Sequence, residues 1–450
     1  MNTNDVLSKV EDYYAFLTLE ELDKRAFELS KRYGFEIREA GKSENNHPMY
    51  IIKAGEGSKN AFVWGFPHPN EPIGSLTIDW LVNYFGSNPS ALSETGYTWY
   101  FMYTADPDGT RLNEGWFKGR LTLDRYFANF YRPPANRMID WTFPVKYKDF
   151  QWKNPLKETQ VLMDIINEIK PNLMYPIHNS GFGGSYFFST KKFDEIYYNS
   201  LIQFTESLGI PLHLGEPEEE FMKTITKPFY FDFGFADYYE QMKKIGKNPL
   251  EVLKHGDNST FYLLRQNPEA VVIKGEVPYF FSEKIEDNSL SSKTRREVWL
   301  SLMEKSRKNL EFVQPIVTKI LGVLQEPNAW FYLLSDMKRT WDKRTDAMKN
   351  YVNSSHDFER QATEAEVLGG LLGSYFYNGG LLFGQVRRAA LESGMNSEEI
   401  KILEDKTREC SQFISSETDW KVLSIKKLVQ LQLGILFETV NAISRNQIEK

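Results

Sequence analysis

Short apolar runs alternate with amphipathic segments from Phe35 to Val277, and this alternation constrains the fold more than any other feature. FEIREAG, MYIIKAG, AFVWGF, YTWYFMYTA, NLMYPIHNS and AVVIKGEV read as strands. Between and before them, Thr18–Tyr33 carries Leu19, Leu22, Ala26 and Leu29 at helical spacing. Ser75–Phe85, Lys157–Lys170 and Phe193–Leu208 read as further helices. Strands alternating with helices predict an α/β fold with a mixed, mostly parallel sheet flanked by helices. A long helix follows over TRREVWLSLMEKSRKNLEFVQPIVTKILGVL, with Pro315 expected as a kink, and Glu326-Pro327-Asn328 reads as a boundary. Beyond it the pattern is helical with no convincing strand. The expected organisation is an α/β body over 1–325 and an all-α C-terminal region over 326–450.

Charge narrows the partners. Lys and Arg number 54 against 61 Asp and Glu, a net charge of −7, so no basic excess is available to neutralise phosphates and nucleic acid is excluded as the main partner. Cys410 is the one cysteine, which rules out an intrachain disulfide and a zinc site built on several cysteines. The start, MNTNDVLSKVEDYYAF, lacks the apolar core of a signal peptide. The most apolar long stretch, VLGGLLGSYFYNGGLLFGQV, contains Ser, Asn, Gln and five or more glycines' worth of helix cost, so it reads as a buried or interface helix rather than a membrane span. Its glycines imply close helix packing, against the body or against a second subunit. The expectation is a soluble cytoplasmic protein with no membrane partner, and a homo-oligomer through the C-terminal helices is left open.

Two of the six histidines end strand-like runs and enter turns. His68 follows AFVWGFP, with Glu71 three residues on, and His178 follows LMYPI and precedes NSGFGGS. Functional groups of open α/β sheets gather at the carboxyl ends of strands. Two histidines and a glutamate held at neighbouring strand ends would offer three protein ligands to zinc and leave a fourth position for water. A surface turn and hydrogen-bonded structural histidines explain the same residues, so both readings stand here. YTADPDGTRLNEGWFKGR adds a tight turn at Asp106-Pro107-Asp108-Gly109. Glu276 ends an apolar strand in VVIKGEVPYF, a place suited either to a cleft or to a surface ion pair.

The order H-P-N-E, then D-P-D-G, then a strand ending I-H-N-S, then a late strand with G-E-V-P resembles the M14 zinc carboxypeptidase family over roughly Thr18 to Leu324. The resemblance implies a zinc carboxypeptidase-like body binding one Zn2+ through His68, Glu71 and His178, with Glu276 as general base. Asp106 stands where the family motif has Asn, and a structural role is expected for it. Asn70 stands where many members have Arg. The family's Asn-Arg segment for the substrate carboxylate has its nearest match in LDRYFANFYRPP, at Asn129 and Arg132. Arg111, Arg120 and Arg132 are the candidate cations for carboxylate or oxyanion, with Arg120 taken as the catalytic one. Tyr262, beside Tyr238 and Tyr239, is a candidate for the family's mobile tyrosine. Asp257, near His255, is a candidate selector of a basic side chain. The implied activity is removal of a C-terminal amino acid from a small peptide or amino acid conjugate. N-acyl amino acid deacylation is the alternative, and a non-catalytic binding protein on the same scaffold is a third reading.

Overall fold

In the computed structural model, residues 6–340 and 345–449 are described. The first helix, α1 (Leu19–Tyr33), starts at a capping box between Thr18 and Glu21, buries Leu19, Leu22, Ala26 and Leu29, and stops at Gly34 in the left-handed conformation. Strands β1 (Glu36–Lys42), β2 (Pro48–Ala54) and β3 (Lys59–Trp64) follow, then α2 (Ile73–Ser87) and β4 (Tyr97–Met102). Helices α3 (Pro107–Asn113), α4 (Leu123–Asn129) and α5 (Lys157–Ile169) lead to β5 (Leu173–Pro176), β6 (Asn179–Phe182) and β7 (Tyr186–Ser189). Helix α6 (Glu195–Ser207) precedes β8 (Thr224–Thr226), β9 (Phe229–Phe231) and the long β10 (Val271–Phe281).

The sheet has 11 strands among the described residues and runs β1-β2-β4-β3-β5-β10-β7-β9-β8, with β6 also paired to β10. Its centre is parallel: β3 pairs with β4 and β5, and β5 pairs with β10. The outer β1–β2–β4 and β10–β7 pairs are antiparallel, so the sheet is mixed as the alternation predicts. Strands at the centre are covered on both faces and therefore read as unbroken apolar runs, AFVW and LMYP, rather than as alternating ones.

The helical region is present, as expected. Helix α7 (Arg295–Leu321) runs through Pro315, and α8 (Ala329–Thr340) follows. The glycine-rich stretch forms α9 (Glu364–Leu372), a π-helical segment over Gly373–Leu381, and α10 (Leu382–Glu392). Gly380 and Gly384 face the body of the same chain, Gly370 and Gly373 face Val298 and Leu302 of α7, Gly379 faces Cys410, and a Cβ on Gly369 would meet nothing within 4 Å. A Cβ on Gly384 would lie 1.9 Å from the Phe127 carbonyl oxygen, and one on Gly380 would lie 2.3 Å from the Phe127 ring. The close packing inferred from these glycines is thus made inside the chain, against α4 and α7. After α11 (Ser397–Glu417), a two-residue strand, β11 (Lys421–Val422), pairs with the end of β10, and Gln361–Thr363 pairs with Leu290–Thr294. Neither was expected, because strands this short carry no periodicity to read.

The last helix, α12 (Ile425–Ser444), packs on α2, α6 and β10. It buries Leu428, Leu431, Leu433, Ile435 and Leu436 against the sheet, in one continuous core with residues of the α/β body. The sheet is therefore covered on this face by a helix from the far end of the chain.

Candidate metal centre

Three adjacent strands deliver the site. His68 sits four residues past the end of β3, His178 two past the end of β5, and Glu276 within β10. The β3 turn is tight: Gly65 donates to the Met102 carbonyl and accepts from Ala105, and a Cβ there would meet the Tyr103 carbonyl oxygen at 2.6 Å. Phe66 follows at φ 55°, a left-handed conformation rare for a bulky residue and common where a scaffold forces a functional turn. Glu71 N–H closes the turn on the His68 carbonyl at 3.1 Å. Asn179 ties this turn to β10: its Oδ1 accepts from Ile73 N–H and the Tyr279 hydroxyl, while its Nδ2 donates to the Val277 carbonyl.

The side chains converge. His68 Nδ1 lies 2.7 Å from Glu71 Oε1, and His178 Nδ1 lies 3.0 Å from Glu71 Oε2. Ligand atoms of His68, Glu71 and His178 all fall within 4.8 Å of one another, and the three residues are buried. His178 Nδ1 is 3.6 Å from Glu276 Oε1, and Arg132 Nη1 is 3.3 Å from Glu71 Oε1. Among the buried atoms left without a well-formed hydrogen bond are Glu71 Oε2, His68 Nε2 and both nitrogens of His178. Buried polar atoms rarely go unpaired. Two imidazoles and a carboxylate converging with unsatisfied atoms fit a small divalent cation with nitrogen and oxygen ligands, zinc first among them.

The electrostatics agree. Burial, with Arg132 adding to it, lowers the His68 imidazole to about 3, keeping it in the neutral form that ligates metals. Burial pushes the Glu276 carboxyl well above the usual range, and the nearby Glu71 and Glu218 carboxylates push it further. A divalent cation beside Glu276 acts the other way and favours its carboxylate.

The cluster stands where two cavities meet, of about 660 and 610 Å³, with His68, Arg132, Glu218 and Glu276 in both linings. Asp140 and Lys274 line the first. Asp140 Oδ2 is 3.9 Å from His178 Nε2, and Lys274 Nζ is 2.9 Å from Asp232 Oδ2.

Behind the site the ladder between β5 and β10 opens. Val272 pairs with Met174, and pairing in the same register resumes only at Val277 and Asn179, on β6. Gln432 of α12 fills the opening. Its Nε2 donates to the carbonyls of His178 at 2.6 Å and Gly275 at 3.0 Å, and its Oε1 accepts from the Tyr175 hydroxyl. Gly275 has to be small, since a Cβ there would meet Ile435 of α12 at 2.3 Å.

Of the residues singled out from sequence, His68, Glu71, His178, Glu276 and Arg132 are brought together. The others are not. Arg111 is drawn to Glu20 at 2.5 Å on the surface, and Arg120 is exposed on the loop before α4. Asn129 donates to the Arg125 carbonyl within its own helix. The Tyr262 hydroxyl donates to Asn167, and the buried Asp257 accepts from Phe235 N–H and from Arg265. All five fall outside both cavity linings: Arg111, Asn129, Tyr262 and Asp257 are held by partners of their own elsewhere, and Arg120 is exposed. His255 and Tyr238 do line the first cavity.

Sequence reading missed Asn136, which lines the first cavity with a buried Oδ1 that has no hydrogen-bond partner. The adjacent pair Asn136-Arg137 was the legible signal, a closer Asn-Arg match than Asn129 and Arg132; the Arg137 guanidinium lies 3.7 Å over the Tyr332 ring. Lys274 was legible too, two residues before Glu276 and so on the same face of β10. Gln432 carried no such signal.

Residues 26–209 match the family model of zinc carboxypeptidases, a stretch that holds His68, Glu71 and His178 and ends before Glu276. No curated protein matches the chain. Among solved structures, a Shewanella amazonensis SB2B protein named as a candidate metallopeptidase is 10% identical at a TM-score of 0.40, with 58% of this chain and 84% of that one covered. A metallo-carboxypeptidase from Burkholderia cenocepacia is 14% identical at a TM-score of 0.33, with 58% and 60% covered. Bovine thrombin-activatable fibrinolysis inhibitor, in complex with tick carboxypeptidase inhibitor, is 10% identical at a TM-score of 0.34, with 58% and 86% covered.

Proposed function

From a body whose residues 26–209 match the zinc carboxypeptidase family, we propose that this protein is a metal-dependent hydrolase that removes the C-terminal residue from short peptides. One observation carries the reading: a buried His–Glu–His cluster with unsatisfied ligand atoms stands beside Glu276 at the junction of two cavities. His68, Glu71 and His178 would hold the ion. Zinc in such a setting supplies Lewis-acid activation of a carbonyl and of water.

The chain's own groups do the rest. Glu276, as carboxylate, accepts a proton from the water whose oxygen adds to the scissile carbonyl carbon, and returns it to the leaving nitrogen as the C–N bond breaks. The products are a shortened peptide carboxylate and a free amino acid. Arg132 lines both cavities and reaches the cluster, so its guanidinium is placed to stabilise the charge that develops on the carbonyl oxygen. Asn136, with its orphaned Oδ1, and the cations of the first cavity are suited to the leaving residue.

The test is a mixed library of peptides, each with a free and an amidated C-terminus, together with N-acyl amino acids, incubated with zinc-loaded protein and read by mass spectrometry. Loss of one residue from free-ended peptides only, absent in Glu276→Gln, is expected. Release of acyl groups with peptides untouched replaces this reading with deacylation.

A further inference from the structure

The two cavities differ in charge. The first is lined by Lys254, Lys274 and Arg339 as well as Arg132, with Lys274 paired to Asp232 and Arg339 to Asp336 in the same lining, whereas Arg132 is the one lysine or arginine among the described residues lining the second. Besides Glu71 and Glu276 of the site itself, three carboxylates line the second cavity. Glu216 is held by the Arg295 guanidinium, and Glu366 by Arg360 at 2.8 and 2.6 Å. Among the described residues Glu218 has no such cation: it is exposed, the Tyr186 hydroxyl donates to it at 3.1 Å, and it stands where the two cavities join. A second acceptor lies in the same space. Asn70 is 4% exposed and its Oδ1 is buried without a hydrogen-bond partner, although its amide bonds Tyr126. The second cavity therefore offers a carboxylate without a cation and a buried amide oxygen without a donor, among the rings of Tyr186, Trp299 and Tyr377.

We propose that the second cavity is a subsite for the free α-ammonium group of the substrate, and that the substrate is a zwitterionic di- or tripeptide. The proposal rests on the carboxypeptidase reading and specifies its substrate. The ammonium satisfies Glu218 and the Asn70 Oδ1, and aromatic faces around it favour a cation. The substrate carboxylate lies in the first cavity, where the cations are, and the scissile bond lies between the two at the cluster. Trp299 and Leu302 of α7 and Gly369, Gly370 and Gly373 of the helical region also line the second cavity, so the helical region bounds the space open to a substrate. At about 610 Å³ the space matches a small ligand rather than a protein tail. An N-acylated substrate brings a neutral amide to the same place and offers Glu218 no cation.

Matched tripeptides with free C-termini, N-acetylated or not, test this on the zinc-loaded full chain, alongside calorimetric binding of the same pairs to Glu276→Gln protein. Free-amino peptides are expected to show kcat/KM about tenfold or more above their acetylated partners, mostly through KM, with the same preference in binding. Glu218→Gln is expected to abolish that preference in both measurements. Equal handling of the two series, or equal loss of both in Glu218→Gln, overturns the subsite. Octapeptides cleaved as fast as tripeptides overturn the restriction on length. If no free-ended peptide is cleaved in either series, the carboxypeptidase reading fails, and the calorimetric preference alone then decides the ammonium subsite.

Discussion

Asp106 combines two demands in one side chain. Its Oδ1 accepts Gly109 N–H at 2.8 Å and caps α3, the structural role expected of it, yet the residue is buried. Burial raises its carboxyl to about 7 even against that hydrogen bond, and Glu158 is raised to about 8, by burial first and then by Asp106. A carboxyl whose folded pKa exceeds its unfolded value favours the fold while protonated. Its contribution is complete below the unfolded range and is lost as pH rises through about 7. Asp106→Asn keeps the acceptor and removes the charge. Its stability advantage over the parent is expected to grow between pH 5 and pH 8, reaching about 2 kcal/mol in urea unfolding; an identical difference at both values would refute the assignment. The arginines teach a related lesson. Arg111, Arg120 and Arg132 are equivalent candidates in the sequence, and only Arg132 reaches Glu71, because the chain between α4 and α5 folds back over the β3 turn while Arg111 meets Glu20.

At the scale of elements, the opening between β5 and β10 is the feature that places the chemistry. Parallel pairing on both sides keeps one register, and the unpaired stretch between turns His178 and Glu276 toward a common centre. Carbonyls freed by such a break need donors, and Gln432 supplies them from α12. Gln432 is fully buried beside Leu431, Leu433, Ile435 and Leu436 of the same helix, so its amide is worth burying only when satisfied. Gln432→Leu is expected to weaken zinc binding about tenfold or more, as loss of an outer-sphere partner does, in competition with a chromophoric chelator. Leu436→Ala, on the same helix and equally buried, is expected to cost about 3 kcal/mol of stability with zinc affinity unchanged. A parallel fall in both properties in both variants would reduce Gln432 to a packing residue.

Across the whole molecule, the last helix and the helical region complete the body rather than follow it. β11 extends β10, α12 covers the sheet, and residues of α7 and of 369–385 wall the second cavity. A chain ending at 325 leaves that face of the sheet bare, so it is expected to lack a cooperative thermal unfolding transition, whereas the full chain is expected to have one; a sharp transition in the fragment would support a boundary at that point. Two features were legible in the sequence alone: the α/β body, because periodicity is a local property of each segment, and the grouping of His68-Glu71 with His178 and Glu276, because their motifs in that order resemble the zinc carboxypeptidase family. Only the tertiary structure decided which arginine reaches that cluster, that Lys274 and Asn136 line the cavity beside it, and that a glutamine 254 residues beyond His178 donates to the His178 carbonyl. Such partnerships depend on which surfaces the packed core brings within a few ångströms, and no local pattern in the chain records that.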